Sequence, residues 1–458
     1  MAGPAPSTGD ANGAAIVRTA IVGAGPTGLF LGTALARRGH QVTCVDRDPG
    51  PAADGSWPRR GVMQFHHAHG FRGQVVDAID AEVPEAGERW RAAGAAPITV
   101  PGPGGDQTLG MRSRRQTFEA ALRRTAAEQP GLEIRVGHVD EVSATRGRAD
   151  GLAVDGVHLP ADLVIDASGR SSRVTRRLRA TPTVGGPCGI AYVDRQYQLH
   201  DGAEPGPLLS PLAWQATFDG YQVIIFVHER GIFSVLLIRP TDDRALVDLR
   251  HAAAFEAACR VVPGLSEWTD PTRSRPITDV LPGGLLMNWY RDQTGPAGGL
   301  ALPGLLFVGD SVCTTTPNFG RGIATSMLQA REVLRLLDEH GTDVVTVAES
   351  FDAWAASNMR PWVEDHLRMD DSLARRWAGE DVDLSSRLPS DLVLAAAEAD
   401  PQIAAGIGPY LTMQAGPSSL DAVEPRARAV FEGGWRPPLP DGPTRAELVD
   451  VVAAAVAV

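Results

Sequence analysis

The stretch Thr19-Ala20-Ile21-Val22-Gly23-Ala24-Gly25-Pro26-Thr27-Gly28 leaves few folds open to this chain. An apolar run that reads as a strand enters a G-x-G-x-x-G turn, and a helix-like segment, 29–38, follows directly. In such a pattern Gly23 makes the tight turn, Gly25 lets a pyrophosphate reach the backbone, and Gly28 lets helix and strand pack closely. The helix N-terminus then offers free N–H groups and a positive dipole end to phosphates. Gly39-His40 ends the helix, and residues 41–46 read as the next strand. Asp46 lies 23 residues beyond Gly23, where a carboxylate can meet a ribose hydroxyl. The expectation is a Rossmann-like dinucleotide-binding unit.

At 458 residues the chain has room for two or three domains. Residues 1–15, rich in Ala, Gly, Pro and Ser, read as a disordered tail without a signal-peptide pattern. After a loop to Trp57-Pro58-Arg59-Arg60-Gly61, a helix is expected over 64–80, opening on Phe65-His66-His67-Ala68-His69. Ser113 and Gln116 form a capping box before a helix running to about 128, with Phe118, Ala121, Leu122 and Thr125 on one face. Strands around 132–136, 139–145 and 151–154 lead to a buried strand at 163–167. From 181 to 298 the texture changes to hairpin strands with turns at Asp219-Gly220 and Arg230-Gly231, interrupted by a helix at 252–261. Another buried strand, 305–308, precedes helices at 323–339, 350–377, 389–399, 418–431 and 445–455. The expected fold class is α/β. A Rossmann-like domain (16–180 and 300–380) carries an inserted antiparallel β-sheet substrate domain (181–299), and a C-terminal helical region follows (381–458).

Several function classes are excluded. The net charge of −12 and the lack of a basic stripe argue against nucleic acid or an anionic membrane as partner. There is no 18-residue apolar run, and a cytoplasmic protein is expected. All 43 basic residues are arginine, so Schiff-base, pyridoxal phosphate and P-loop chemistry, each of which needs lysine, are ruled out. Cys44, Cys188, Cys259 and Cys313 are too scattered for a zinc site or a disulfide framework. His66, His67 and His69 lack nearby carboxylates to complete a metal site, so no metal is expected; they read as polar lining of a cleft or as surface residues.

Three blocks in order carry a family resemblance. The first is Gly23 to Gly28 with Asp46 and Arg47, followed by Arg59 before Gly61-Val62, Arg115 with Phe118 and Leu122, and Gly137-His138-Val139. The second is Asp162-Leu163-Val164-Ile165-Asp166-Ala167-Ser168-Gly169. The third is Gly309-Asp310 with Pro317-Asn318-Phe319-Gly320-Arg321-Gly322. Over 16–370 the chain resembles the FAD-dependent monooxygenases of the p-hydroxybenzoate hydroxylase fold. The resemblance implies that Gly23, Gly25, Pro26, Thr27, Gly28, Asp46 and Arg47 hold the ADP half of FAD. It implies that Arg59 reaches the flavin side of the pyrophosphate, that Arg115 also faces FAD, and that the Val139 backbone pairs with adenine. Asp310 would hold the ribityl hydroxyls, and Pro317 would sit beside the reactive flavin carbon. Gly320, Arg321 and Gly322 would face the N1–C2=O edge, where a helix dipole stabilises an anionic reduced ring. Ser168 replaces the aspartate of the family's Asp-Gly motif, and Arg321 replaces a more usual glutamine. The segments 59–69, 192–197 and 310–322 look closest to an actinobacterial branch of natural-product tailoring enzymes that includes polyether-type epoxidases.

The implied activity is hydroxylation or epoxidation of a hydrophobic natural-product intermediate, a polyketide or terpenoid, through a flavin C4a-hydroperoxide. The cofactor carries that chemistry. No catalytic side chain is therefore assigned, although Pro317 and Arg321 flank the ring. His66, Tyr197, Trp214 and Phe226, with Phe218, Tyr221 and Phe233, are candidates to line the substrate pocket; the aromatics equally suit the core of a sheet. The electron donor is NAD(P)H or, given Ser168, reduced flavin from a separate reductase. Halogenases of related fold use a lysine and a W-x-W-x-I-P segment, and this sequence has neither. A redox-neutral cyclase that keeps FAD as a structural cofactor is the alternative. A saturating isoprenoid reductase and a non-enzymatic binding module rank below it.

Overall fold

The computed structural model describes residues 17–102, 105–182, 184–210 and 213–457; the tail expected at 1–15 lies outside the described residues. Five parallel strands make the central sheet, in the order Leu305–Phe307, Leu163–Asp166, Arg18–Val22, Gln41–Asp46, Leu132–Val136. Ala20 to Val22, Leu163 to Asp166 and Leu305 to Phe307 are all buried, as strands covered on both faces must be. The Pro26–Arg37 helix buries Leu29, Phe30, Leu31, Ala34 and Leu35 and packs against the Arg115–Glu128 and Gly322–His340 helices. The carboxyl ends of four of these strands, at Val22, Asp46, Asp166 and Phe307, point the chain toward one cleft. That is where ligands bind in open α/β sheets.

The inserted antiparallel sheet runs Ala213–Thr217, Gln222–Val227, Ile232–Pro240, Ile190–Leu199, Ser274–Pro276. Its turns fall at Asp219-Gly220, where Gly220 has φ +80°, and at Glu229–Gly231, where Arg230 has φ +56°. Side chains alternate between its two faces. Tyr192, Ile224, Phe226, Leu236 and Ile238 share one face, while Val193, Tyr197, Val223, Ile225, Phe233, Val235 and Leu237 share the other. The second face is sealed by the Ala252–Val261 helix and by Leu448 and Val452 of the Arg445–Val456 helix. The helices between Ser390 and Glu432 join the Rossmann core instead, through Leu392, Ile403, Tyr410 and Phe431.

Three local expectations are corrected. The helix expected over 64–80 is a 3-10 turn, Met63–His66, then a short strand, Phe71–Arg72, and a helix, Gly73–Glu82. Tertiary contacts break it: His67 is extended with its ring on Tyr192, and the Ala68 amide donates to Asp194. Ser113 does not cap the next helix, whose N-cap is Arg114; its hydroxyl accepts from Trp90 Nε1 at 2.8 Å. The helix expected over 350–377 is two, Val344–Asn358 and Arg360–Trp377, because Pro361 cannot donate into a continuous helix.

Candidate functional site

The glycine turn is built as its pattern demands. Gly23 has φ +102°, and a Cβ there would lie 2.8 Å from the Ala167 carbonyl oxygen. A Cβ on Gly28 would lie 2.0 Å from the Gly23 carbonyl oxygen, so glycine is what permits this helix–strand contact. Gly25 differs: a Cβ there meets only Arg59 Nη2, at 3.6 Å. Its lack of a side chain is not needed for packing and leaves open backbone on the cleft. Asp46 ties the turn to its own strand end, accepting from the Ala24 amide at 2.8 Å and the Asp48 amide at 2.9 Å. Thr27, Asp46, Arg47, Gly137, His138 and Val139 line the same end of the cleft.

Two arginines meet over one buried acid. Arg59, itself buried, lies across the turn, donating to the Ala24 carbonyl at 3.2 Å, with its guanidinium carbon 5.1 Å from the Trp57 ring centroid. Its Nε is 2.7 Å from Glu119, and the Arg115 Nε is 2.5 Å from the other oxygen of the same carboxylate. Glu119 is 0% exposed. It went unread in the sequence, where its one signal was its place four residues after Arg115 on a helix. Arg59 also lies 3.5 Å from Asp48 and 3.9 Å from Asp46, so these acids fix the two guanidiniums at the cleft wall, where their N–H donors suit a pyrophosphate.

The far end of the cleft carries the third sequence block. Asp310 sits in the 3-10 turn Gly309–Ser311 after the last parallel strand; burial raises its pKa, and Arg115 and Arg170 oppose that rise. Its carboxylate makes no hydrogen bond among the described residues, so its acceptors are free toward the cleft. Thr314, Thr315, Pro317, Asn318, Gly320 and Gly322 continue the wall. Gly320 has φ +59°, and the 19-residue helix Gly322–His340 begins two residues later, with Arg321 at its N-cap. These groups fit a dinucleotide with a flat polar ring: open glycine backbone and arginines for phosphates, a free carboxylate for hydroxyls, and a helix N-terminus for an anionic edge.

Arg321 is corrected. Its side chain leaves the cleft and is 1% exposed. Its guanidinium carbon lies 4.5 Å from the Trp362 ring centroid, 4.6 Å from that of Tyr410 and 5.2 Å from that of Phe319. Nη1 is 3.6 Å from Asp365 and 3.0 Å from His366 Nε2. Burial and the nearby Arg321 and Arg72 charges hold His366 neutral, so it can accept. Arg72 donates to the Phe319 carbonyl at 2.6 Å and to the Leu411 carbonyl. The C-terminal helices thus hold the 317–322 loop from behind.

The inserted sheet supplies the apolar wall: Ile224, Phe226 and Leu236, with Ala68, Tyr192, Leu286 and Met287 beside them. The whole cleft encloses about 670 Å³. Of the expected lining residues, only Phe226 lies on this wall. Tyr197 stacks on Phe233 at 5.3 Å and donates to Glu256 at 2.6 Å on the opposite face. Trp214, Phe218 and Tyr221 also pack on that opposite face. The period of two puts them there: Trp214 pairs across the hairpin with Ile225, while Ala213 pairs with Phe226. His66 turns to Gln116, with Nδ1 2.8 Å from Oε1, and it is His69 that reaches the cleft. No group of three or more His, Cys, Asp or Glu side chains among the described residues is placed to bind a metal.

Asp194 braces this wall. Its Oδ2 accepts from the Ala68 amide at 2.5 Å, while its Oδ1 is buried without a partner. Burial pushes its pKa up to about 8. The folded state therefore holds a proton that the unfolded chain releases near pH 4, and stability falls as pH rises from about 4 to about 8. Asp194→Asn removes that loss. The melting temperature of the variant relative to the parent is expected to rise steadily between pH 5 and pH 9; a difference independent of pH would contradict the assignment.

Ser168 lines the cleft, but its hydroxyl donates back to Asp166 at 2.5 Å. Tyr192 meets His67 Nδ1 at 2.7 Å, and burial lowers the His67 pKa to about 4.

Residues 16–64 match the family model described as FAD binding domain. Among solved structures, the flavin-dependent brominase Bmp2 superposes with a TM-score of 0.64 at 15% identity, over 92% of this chain and 100% of its own. PqsL, a probable FAD-dependent monooxygenase from Pseudomonas aeruginosa, gives 0.58 at 15% identity, over 80% of this chain and 99% of its own. CtdE, in complex with FAD and substrate, gives 0.56 at 17% identity, over 78% and 89%. These likenesses establish the fold.

Proposed function

We propose that this protein is an FAD-dependent monooxygenase that hydroxylates or epoxidises a hydrophobic small molecule, a polyketide- or terpenoid-like natural-product intermediate. One observation carries the reading: a single cleft joins the glycine turn and its arginines to an apolar wall of Ile224, Phe226, Leu236, Leu286 and Met287. Gly23, Gly25 and Asp46 would hold the ADP half of FAD, Arg59 the flavin side of its pyrophosphate with Arg115 facing the cofactor, and Asp310, Pro317, Gly320 and Gly322 the flavin half. When bound, FAD supplies the activation of oxygen. The chain's own residues orient the substrate on the apolar wall, exclude water there and set a helix N-terminus against developing negative charge. Halogenation, the activity named for Bmp2, is disfavoured because this sequence has no lysine.

A redox-neutral cyclase is the second reading, favoured by Ser168, whose hydroxyl is engaged by Asp166 and which stands where the family's donor-serving aspartate is expected. The test supplies the FAD-loaded protein with NADH, NADPH or a flavin reductase, a panel of aromatic polyketides and polyenes, and oxygen-18 gas. The monooxygenase reading expects oxygen uptake matched by a product heavier by one labelled oxygen atom. A product isomeric with its substrate, formed without oxygen uptake, selects the cyclase.

A further inference from the structure

Six arginines line the cleft of a chain whose net charge is −12: Arg47, Arg59, Arg60, Arg115, Arg170 and Arg173. Arg59 and Arg115 are engaged by Glu119. Arg47 and Arg60 flank Gly61 on the glycine-turn side, where a Gly61 Cβ would lie 3.9 Å from Arg47. Arg173 is exposed and screened by solvent.

Arg170 stands apart. It is half-buried and makes no ion pair among the described residues. Its one hydrogen bond runs from Nη1 to the Leu285 carbonyl at 2.6 Å. Leu285 leads directly into Leu286 and Met287, both part of the apolar wall. The contact therefore sets a guanidinium at the edge of the substrate pocket. Its charge also reaches Tyr192 and Asp310, easing their ionisation against burial. A guanidinium has five N–H donors, and here one is used. Asp310 feels this charge but makes no ion pair with it, so the remaining donors of a half-drawn-out cation stay open to an arriving anion.

We propose that Arg170 recognises a carboxylate on the substrate, which is then an apolar acid rather than a neutral hydrocarbon-like molecule. The planar fork matches a planar carboxylate, and one cation matches one negative charge. This inference rests on the reading of the cleft as a monooxygenase substrate site.

The probes are 2-naphthoate, 2-naphthamide and NADP⁺, titrated against FAD-loaded parent, Arg170→Gln and Arg170→Lys while the flavin absorbance is followed. The parent is expected to bind 2-naphthoate at least tenfold more tightly than 2-naphthamide, with added salt weakening only the acid. Arg170→Gln is expected to lose that preference and keep its amide affinity within twofold, while Arg170→Lys keeps part of the preference. Equal loss of both naphthalene probes would make Arg170 a latch for the Leu285 turn and overturn the proposal. Loss of NADP⁺ binding alone would assign the cation to a donor phosphate, and loss of FAD to a cofactor phosphate; either overturns it too. So does a parent without carboxylate preference, including one that takes neither naphthalene probe. FAD content and oxygen uptake measured on the same samples keep such a failure separate from a failure of the monooxygenase reading.

Discussion

Gly25→Ala is expected to fold as the parent does and to bind FAD roughly 100-fold more weakly, a loss of about 2.7 kcal/mol. The backbone at Gly25 has φ −83° and ψ −175°, an extended conformation open to any residue. An added Cβ meets only the end of the Arg59 side chain, at 3.6 Å, which is ordinary contact. The stability cost should stay within about 0.5 kcal/mol. The same methyl group stands where the pyrophosphate must approach the backbone. Gly28→Ala is the contrasting variant, since its Cβ would lie 2.0 Å from a backbone oxygen and the helix–strand contact must open. Thermal melts and FAD titrations of both variants separate the two roles. A Gly25→Ala protein that binds FAD like the parent would place the phosphates elsewhere.

Arg321→Met is expected to destabilise the fold by about 3–5 kcal/mol, because it strands a buried carboxylate. Arg321 and Asp365 are 1% and 0% exposed. Asp365 also accepts from Tyr410 at 2.6 Å and from Ser390, so it is held in place and cannot turn out to water. Arg321→Lys should recover little, since an ammonium lacks the flat face that lies over Trp362 and Tyr410. The double variant Arg321→Met, Asp365→Asn should recover part of the loss by removing the stranded charge. FAD affinity should fall along with stability in Arg321→Met, because the 317–322 loop loses its anchor. Chemical denaturation followed with and without FAD measures both effects. A stable Arg321→Met protein would contradict the coupling.

What the sequence revealed, and what it hid, follows from interaction range. The glycine turn, Asp46 and the helix start at Gly322 are local patterns, so their spacing carried them. The strands of the inserted sheet were legible by alternation, but alternation does not say which face meets the cleft. Trp214 and Phe226 look equivalent as strand aromatics, and only the pairing of Ala213 with Phe226 separates them. The resemblance puts Arg321 beside the flavin with the rest of the 317–322 loop, whose Gly320 and Gly322 do line the cleft. Its side chain follows Asp365, His366 and Tyr410, which lie 44 to 89 residues further along the chain. The helix expected over 64–80 failed for the same reason: Tyr192 and Asp194, more than a hundred residues away, hold His67 and Ala68 in an extended path. Glu119 was hidden by its chemistry, for a glutamate on a helix ordinarily reads as a solvated residue.

The most direct test of the central claim is anaerobic. The FAD-loaded protein is mixed with NADH or NADPH, with and without a flavin reductase, while the flavin absorbance is followed, and oxygen is then admitted. A redox-active flavin in this cleft predicts bleaching in at least one arm, with colour returning on contact with oxygen. Bleaching without the reductase would make the protein self-sufficient despite Ser168, and bleaching only with it would make a two-component system. A flavin that stays oxidised in every arm would contradict the monooxygenase account and leave FAD a structural element of a redox-neutral enzyme.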